Sequence, residues 1–230
     1  MSITGEPSGE QASSGSSAAC RVVLVDDHTM VREALSHILG ESGWIEVVGE
    51  ASDPAGAIKA VRDTAPDVLV LDYNIPDGGA LPVIERLVAA SWCNTKILVL
   101  TIHNSFHYAV RVLEAGADGF AVKADAFQEL AKAIDEVWKS GLYLAPALSR
   151  EVLNHLRQPR KERVGLDALS PREFELLREL GAGTGLKEAA RHQNISVSTA
   201  STYRSRIMEK LKLSSTAELI HFAIERGLTV

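Results

Sequence analysis

Acidic residues close two apolar runs of this 230-residue chain: Asp26 and Asp27 follow VVLV, and Asp72 ends DVLVLD. A hydroxyl closes a third run, Thr101 in KILVLT, and an ammonium follows a fourth, Lys123 after GFAV. A lone aspartate at such a position is usually a solvated loop residue or a helix cap. Five reactive groups at the ends of successive runs are a different matter. If the runs are parallel strands, their carboxyl ends share one edge, and the groups converge there. A sulfur-free, oxygen-rich set of this kind suits Mg²⁺, which takes oxygen ligands in octahedral geometry and keeps several waters.

A second set lies near the C-terminus, where Ala200, Tyr203, Ile207 and Leu211 recur at spacings of three and four. That spacing predicts a helix over 197–212 with one core-facing stripe. The complementary face carries Ser201, Thr202, Ser205, Arg206 and Glu209. A polar face with hydroxyls and cations can enter a DNA major groove, where hydroxyls bond base edges of either kind. Lys187, Arg204, Arg206, Lys210 and Lys212 are candidates for phosphate contacts, which position a protein without reading sequence.

The elements that must position these groups are legible in the pattern. Apolar, β-branched runs at 22–25, 45–48, 67–71, 96–100 and 119–122 alternate with helix-period segments near 29–39, 54–64, 81–89, 105–115 and 126–140. Continuous apolar runs are expected of parallel strands buried on both faces. Ser52-Asp53-Pro54 supplies a cap followed by proline at the first helical position, and Asp125 to Gln128 reads as a capping box. Five β-α units predict a doubly wound α/β sheet. A linker is expected over 143–166, then helices near 171–180, 186–192, 197–212 and 215–226, the first opened by Ser170-Pro171-Arg172-Glu173. Residues 1–20, rich in Ser, Gly and Ala, read as a disordered tail.

Composition narrows the class further. Hydrophobic residues are 46% and charged residues 23%, as in soluble globular proteins. No apolar run approaches the roughly 18–20 residues that cross a bilayer, and the N-terminus lacks the basic and apolar regions of a secretory signal. Membrane insertion is therefore not expected, and a cytoplasmic location is. Cys20 and Cys93 fit neither a disulfide framework nor a metal site. The net charge of −6 is split, −8 over residues 21–142 and +4 over 143–230, so the C-terminal part is the candidate for nucleic acid.

VLVDDHTMVREAL, VLVLDYNIPDGG, ILVLTIHN and AGADGFAVKADAFQEL resemble the signature segments of bacterial response-regulator receiver domains over 21–142. The segment 169–228 resembles the LuxR-type helix-turn-helix of the NarL/FixJ class. The resemblance implies a flavodoxin-like (βα)5 receiver with strand order 2-1-3-4-5, followed by a small all-α DNA-binding domain at 167–230. It implies that Asp72 accepts a phosphoryl group from a sensor histidine kinase. Asp26 and Asp27 would position Mg²⁺ with the Asp72 carboxylate and the Asn74 backbone carbonyl. Thr101 would bond a phosphoryl oxygen, Lys123 would pair with its charge, and Phe120 would act as the switching aromatic. Lys187 matches a phosphate-contacting lysine of that family. A homodimer on double-stranded promoter DNA is expected after phosphorylation, with RNA polymerase a further candidate partner.

Three departures stand out. Ile75 replaces a usual Met, Ile102 replaces the small residue after the switch hydroxyl, and Ser201 and Ser205 stand where many members carry lysines. Ile102 bears on access to the phosphoryl group, and His103 and Asn74 flank the same site and bear on the lifetime of the phosphoryl bond. Two other readings compete with a phosphorylation-switched regulator. A Mg²⁺-dependent phosphohydrolase would need a second acid two residues after its nucleophile, where this chain has Asn74. A phosphorylation-independent regulator would gain nothing from three neighbouring like charges, whose repulsion costs stability. A regulator rather than a turnover enzyme is expected.

Overall fold

The computed structural model describes residues 19–102, 106–157 and 163–228. Six parallel strands form one sheet in the order β2-β1-β3-β4-β5-β6. They are β1 (Cys20–Val25), β2 (Ile45–Ala51), β3 (Val68–Asp72), β4 (Lys96–Thr101), β5 (Gly119–Val122) and β6 (Tyr143–Leu144). The helices between them are α1 (Thr29–Gly40), α2 (Pro54–Thr64), α3 (Ala80–Val88), α4 (Phe106–Ala115) and α5 (Lys123–Ser140).

Strand period divides the core in two. Val23, Val25, Leu69, Leu71, Ile97 and Val99 pack under α2, α3 and α4. Their neighbours Val22, Leu24, Val68, Val70, Leu98 and Leu100 pack under α1 and α5. Both faces are thus covered, which is why the runs show no polar alternation. Full burial of each such side chain contributes about 1.5–3 kcal/mol. Gly119 is required by packing, since a Cβ there would lie 2.8 Å from both Leu98 Cδ1 and Val137 Cγ2.

Helix starts follow the expected chemistry with one correction. Asp53 Oδ1 accepts from the Gly56 N–H at 2.8 Å, and Pro54 opens α2. The capping box expected at Asp125 does not open α5, which begins at Lys123 directly after extended Val122. The chain leaves β5 straight into the helix, so no turn separates the strand end from Lys123.

Within 143–166, expected as a linker, the described residues 143–157 and 163–166 include regular structure. Tyr143 and Leu144 add strand β6 beside β5. Helix α6 (Pro146–Arg157) buries Leu148, Val152 and His155, and a short 3-10 turn spans Gly165–Ala168. The remaining helices are α7 (Pro171–Gly181), α8 (Leu186–His192), α9 (Val197–Leu211) and α10 (Thr216–Glu225). Ser170 and Glu173 form a complete capping box on α7, with the Glu173 carboxylate accepting from the Ser170 N–H at 2.8 Å. The apolar cluster under α2, α3 and α4 continues without a break through α6 into Phe174, Ile207 and Leu219. The sheet and the C-terminal helices therefore share one core on that side.

Candidate functional site

Parallel pairing places the last residues of β1, β3, β4 and β5 on one edge, and the predicted groups meet there. Lys123 Nζ lies 2.7 Å from Asp26 Oδ2 and 2.8 Å from Asp72 Oδ2. Both carboxylates are buried, at 2% and 3% exposure, so an unpaired charge on either would be costly. Burial pushes the Asp72 carboxyl up, Lys123 and the Asn74 backbone N–H oppose this, and Asp26 adds to it, so the net direction is upward. For Lys123, burial alone would lower the pKa. Hydrogen bonds to Asp26 and Asp72 outweigh it and hold the ammonium charged.

Asp27 is more exposed and stands at the mouth of the site. Ligand atoms of Asp26, Asp27, His28 and Asp72 all lie within 4.8 Å of one another. Three carboxylates in one pocket fit a hard divalent cation. The buried Oδ1 of Asn74, two residues after Asp72, has no hydrogen-bond partner among the described residues. Thr101 is fully buried at the end of β4, and Phe120 is fully buried two strands over from Asp72. Ile102 is 59% exposed, and His103 lies outside the described residues.

Sequence reasoning passed over several contributors. His28 Nδ1 approaches Asp27 Oδ1 at 2.8 Å, and its backbone N–H donates to Asp26 Oδ1 at 2.9 Å. Arg32 donates to the Asp26 carbonyl at 2.7 Å and pairs with Glu50 at 2.9 Å, fixing the loop after β1. Direct adjacency to Asp27 was a signal for His28. Nothing local marked Arg32, because Glu50 comes from another strand.

The second set lies on α9, with α8 before it and a turn at Asn194, φ +53°, between them. Ser196 caps α9 by accepting from the Thr199 N–H at 3.0 Å. Ala200 and Ile207 are fully buried, with Tyr203 and Leu211 packed against the same core. Thr202, Ser205, Arg206 and Glu209 are exposed together, with Ser201 half-exposed beside them, and Lys187 on α8 is exposed. Thr202 and Ser205 donate to the Ser198 and Ser201 carbonyls at 3.0 and 3.1 Å. Their hydroxyl lone pairs are left to accept from amino groups of bases.

Two predicted contacts separate from this face. Arg204 is half-buried, with Nε buried and lacking a partner among the described residues. Lys210 pairs with Glu173 of α7 at 2.6 Å. At about 100° per residue, both flank the buried stripe rather than the exposed one.

Comparison with known proteins places these features together. Residues 22–135 match the response regulator receiver domain family, and residues 167–223 match the bacterial regulatory proteins of the luxR family. The chain is 35% identical over 207 residues to the response regulator UvrY of Escherichia coli K12, covering 90% of this chain and 94% of that protein. It is 32% identical over 217 residues to the oxygen regulatory protein NreC of Staphylococcus carnosus, covering 90% and 98%. Among solved structures it resembles RcsB of Salmonella enterica serovar Typhimurium bound to promoter rprA in the presence of the phosphomimetic BeF3⁻. That likeness has a TM-score of 0.69 at 26% identity and covers 89% of this chain and 98% of RcsB.

Proposed function

The chain belongs to the response regulators that join a receiver domain to a LuxR-type DNA-binding domain, and from that premise we propose that phosphorylation of Asp72 switches its binding to promoter DNA. The observation that carries this reading is the single ammonium of Lys123 held between the buried carboxylates of Asp26 and Asp72. We take 21–142 as the receiver, 143–166 as the connection and 167–230 as the DNA-binding domain.

Asp26, Asp27, Asp72 and the Asn74 backbone carbonyl would hold Mg²⁺, which supplies positive charge against the phosphoryl oxygens when bound. The residues of the chain do the rest. An Asp72 carboxylate oxygen attacks phosphorus in line, the bond from phosphorus to the donor nitrogen or oxygen breaks, and the leaving group keeps the electron pair. The transition state spreads charge over three oxygens, so catalysis is mainly positioning and electrostatics. Lys123 turns from the carboxylates to one of these oxygens, and the Thr101 hydroxyl donates to another. Movement of Thr101 opens space that Phe120 fills.

The phosphoryl donor is a sensor histidine kinase, and the output is a homodimer whose two α9 helices read half-sites about 34 Å apart. RNA polymerase is the natural further partner at a promoter. Among the described residues no helix is long and apolar enough to cross a membrane. The protein acts as a regulator in the cytoplasm, where its DNA lies, and turns over no substrate. Intact mass after incubation with Mg²⁺ and acetyl phosphate tests the reading. One phosphoryl adduct is expected on the wild type and none on Asp72→Asn; an equal adduct on both would remove Asp72 from the role.

A further inference from the structure

The residue after the proposed phosphoacceptor belongs to a different contact from the one its neighbour makes. Tyr73 is 1% exposed, and its hydroxyl donates to Glu175 of α7, in the C-terminal helices. Glu175 is itself buried, and its other oxygen accepts from Arg178 Nε at 3.1 Å. The Tyr73 ring meets Tyr108 of α4 edge-on at 4.9 Å, and Tyr108 meets Phe174 of α7 edge-on at 5.4 Å. Arg111 covers the other part of Phe174 at 3.7 Å and donates to the Leu166 carbonyl at 2.7 Å.

The far end of the same loop is gripped as well. Asp77, Gly78 and Gly79 all have positive φ, at 56°, 105° and 73°. A Cβ on Gly78 would lie 2.3 Å from the carbonyl oxygen of His192, the last residue of α8. Loop 73–79 is therefore pressed against α8 through its backbone at Gly78 and bonded to α7 through the side chain of Tyr73. Arg172 of α7 closes the rim by pairing with Glu85 of α3 at 2.6 Å.

What docking leaves uncovered matters equally. Thr202, Ser205 and Arg206 on α9 and Lys187 on α8 remain exposed in this closed arrangement. The docked surface is that of α7 and the end of α8. The face of α9 expected to read bases is not part of it.

We infer that Tyr73 is a positioning residue through which the docked DNA-binding domain restrains phosphorylation of Asp72, while the reading face stays free. This rests on the phosphorylation reading above. The Asn74 carbonyl must adjust when a phosphoryl group and cation are bound, and loop 73–79, which leaves β3 directly after Asp72, carries that change. A loop bonded to α7 and wedged under α8 resists that adjustment. Linkage then requires the converse at equilibrium: phosphorylation weakens docking by the factor by which docking disfavours the phosphorylated state.

The test compares the full-length wild type with Tyr73→Phe, which keeps the ring and removes the hydroxyl, and with Glu175→Leu. Adduct formation with acetyl phosphate and Mg²⁺ is followed by intact mass, folding by circular dichroism, and affinity on a random-sequence 30-base-pair duplex at low salt. Both variants should phosphorylate about fivefold faster or more, the lower end of usual allosteric couplings, with DNA affinity within twofold of wild type. Unchanged rates in both overturn the inference. So does a tenfold gain in DNA affinity, which would mean that closure hides the reading surface instead. A wild type that takes no phosphoryl group overturns the phosphorylation reading and this inference with it. Should either variant misfold, hydrogen exchange of the wild type decides: beryllofluoride with Mg²⁺ should raise exchange across 171–181, and unchanged exchange there overturns the inference.

Discussion

The acidic pocket at the sheet edge and the exposed face of α9 obey different rules of placement. In the pocket, Asp26 and Asp72 are buried, the half-buried Lys123 lies between them, and each of these charges is paired within 2.8 Å. On α9, Arg206 stands exposed on the face with the hydroxyls, whereas Lys210 has turned to Glu173 and Arg204 is half-buried. A buried charge has few places to go, because desolvation penalises every arrangement that lacks a partner. An exposed cation on a long side chain keeps its freedom and takes whichever partner the surface offers. Strand ends therefore determine the first site almost completely, and the helical period determines the second only by halves.

The strongest way to break this contrast is to remove the cation that the buried carboxylates share. Lys123→Gln should slow adduct formation with acetyl phosphate about 100- to 1,000-fold, the usual loss for one preorganised electrostatic group. Intact mass against time on folded protein measures it. A loss below tenfold would mean that Lys123 only neutralises the pocket.

A buried cation at the seam between the two regions should act on stability instead. Arg111 is 2% exposed, donates to the His107 and Leu166 carbonyls at 2.8 and 2.7 Å, and lies over Phe174. Burial lowers its pKa to about 10, partly offset by Tyr73 and Asp167, so it remains charged at neutral pH. Arg111→Ala strips two charge-assisted hydrogen bonds and should cost about 2–3 kcal/mol. Urea denaturation checks this, and a cost near zero would show that the seam relaxes without it.

Exposed cations should give smaller and divergent effects. Arg206→Ala should weaken DNA binding at all sequences and lower the salt slope by about one. Lys210→Ala, already paired with Glu173, should change affinity less than twofold. Equal effects from both would erase the distinction between the reading face and its flanks.

Legibility in the sequence follows the same division. The five strand runs, the convergence of Asp26, Asp72 and Lys123 and the Ser170 capping box could be read because each has a short-range signature: an apolar run, a residue ending it, or a fixed spacing of three. Strand β6 could not, since two residues have no period and Tyr143–Leu144 is a strand only through its pairing with β5. Helix α6 was obscured by its position beyond an apparent domain end, although Leu148 and Val152 stand four apart and are both buried. The contact of Tyr73 with Glu175 spans 102 positions and has no local mark at all. Its chemistry, a phenol and a carboxylate in separate units, becomes meaningful only when α7 is seen against α4.

The smallest effect expected is on pH, and it too tests the seam. His155 of α6 is 5% exposed, with Nδ1 at 3.4 Å from Asp167 Oδ2; His107 Nδ1 holds the other oxygen at 2.9 Å. Burial lowers the His155 pKa below its ordinary 6.5; Arg163 adds to this, and Asp167 and Glu114 oppose it without prevailing. Its Nε2 is buried with no hydrogen-bond partner among the described residues, so a proton there would be left unsatisfied. Burial alone would raise the Asp167 pKa, but His107, His155 and Arg111 together bring it below the usual value, so it stays ionised through this range. The sign is fixed by proton counting. Below about pH 6.5 the unfolded chain protonates at this histidine while the folded chain does not, so stability falls as pH falls, until the lowered folded value is passed. The urea midpoint should therefore drop between pH 7.5 and 5.5 by less than Arg111→Ala lowers it at pH 7.5. His155→Gln should flatten that part of the pH profile. A profile equally steep in the variant would assign the acid sensitivity to another group and leave His155 as a packing residue.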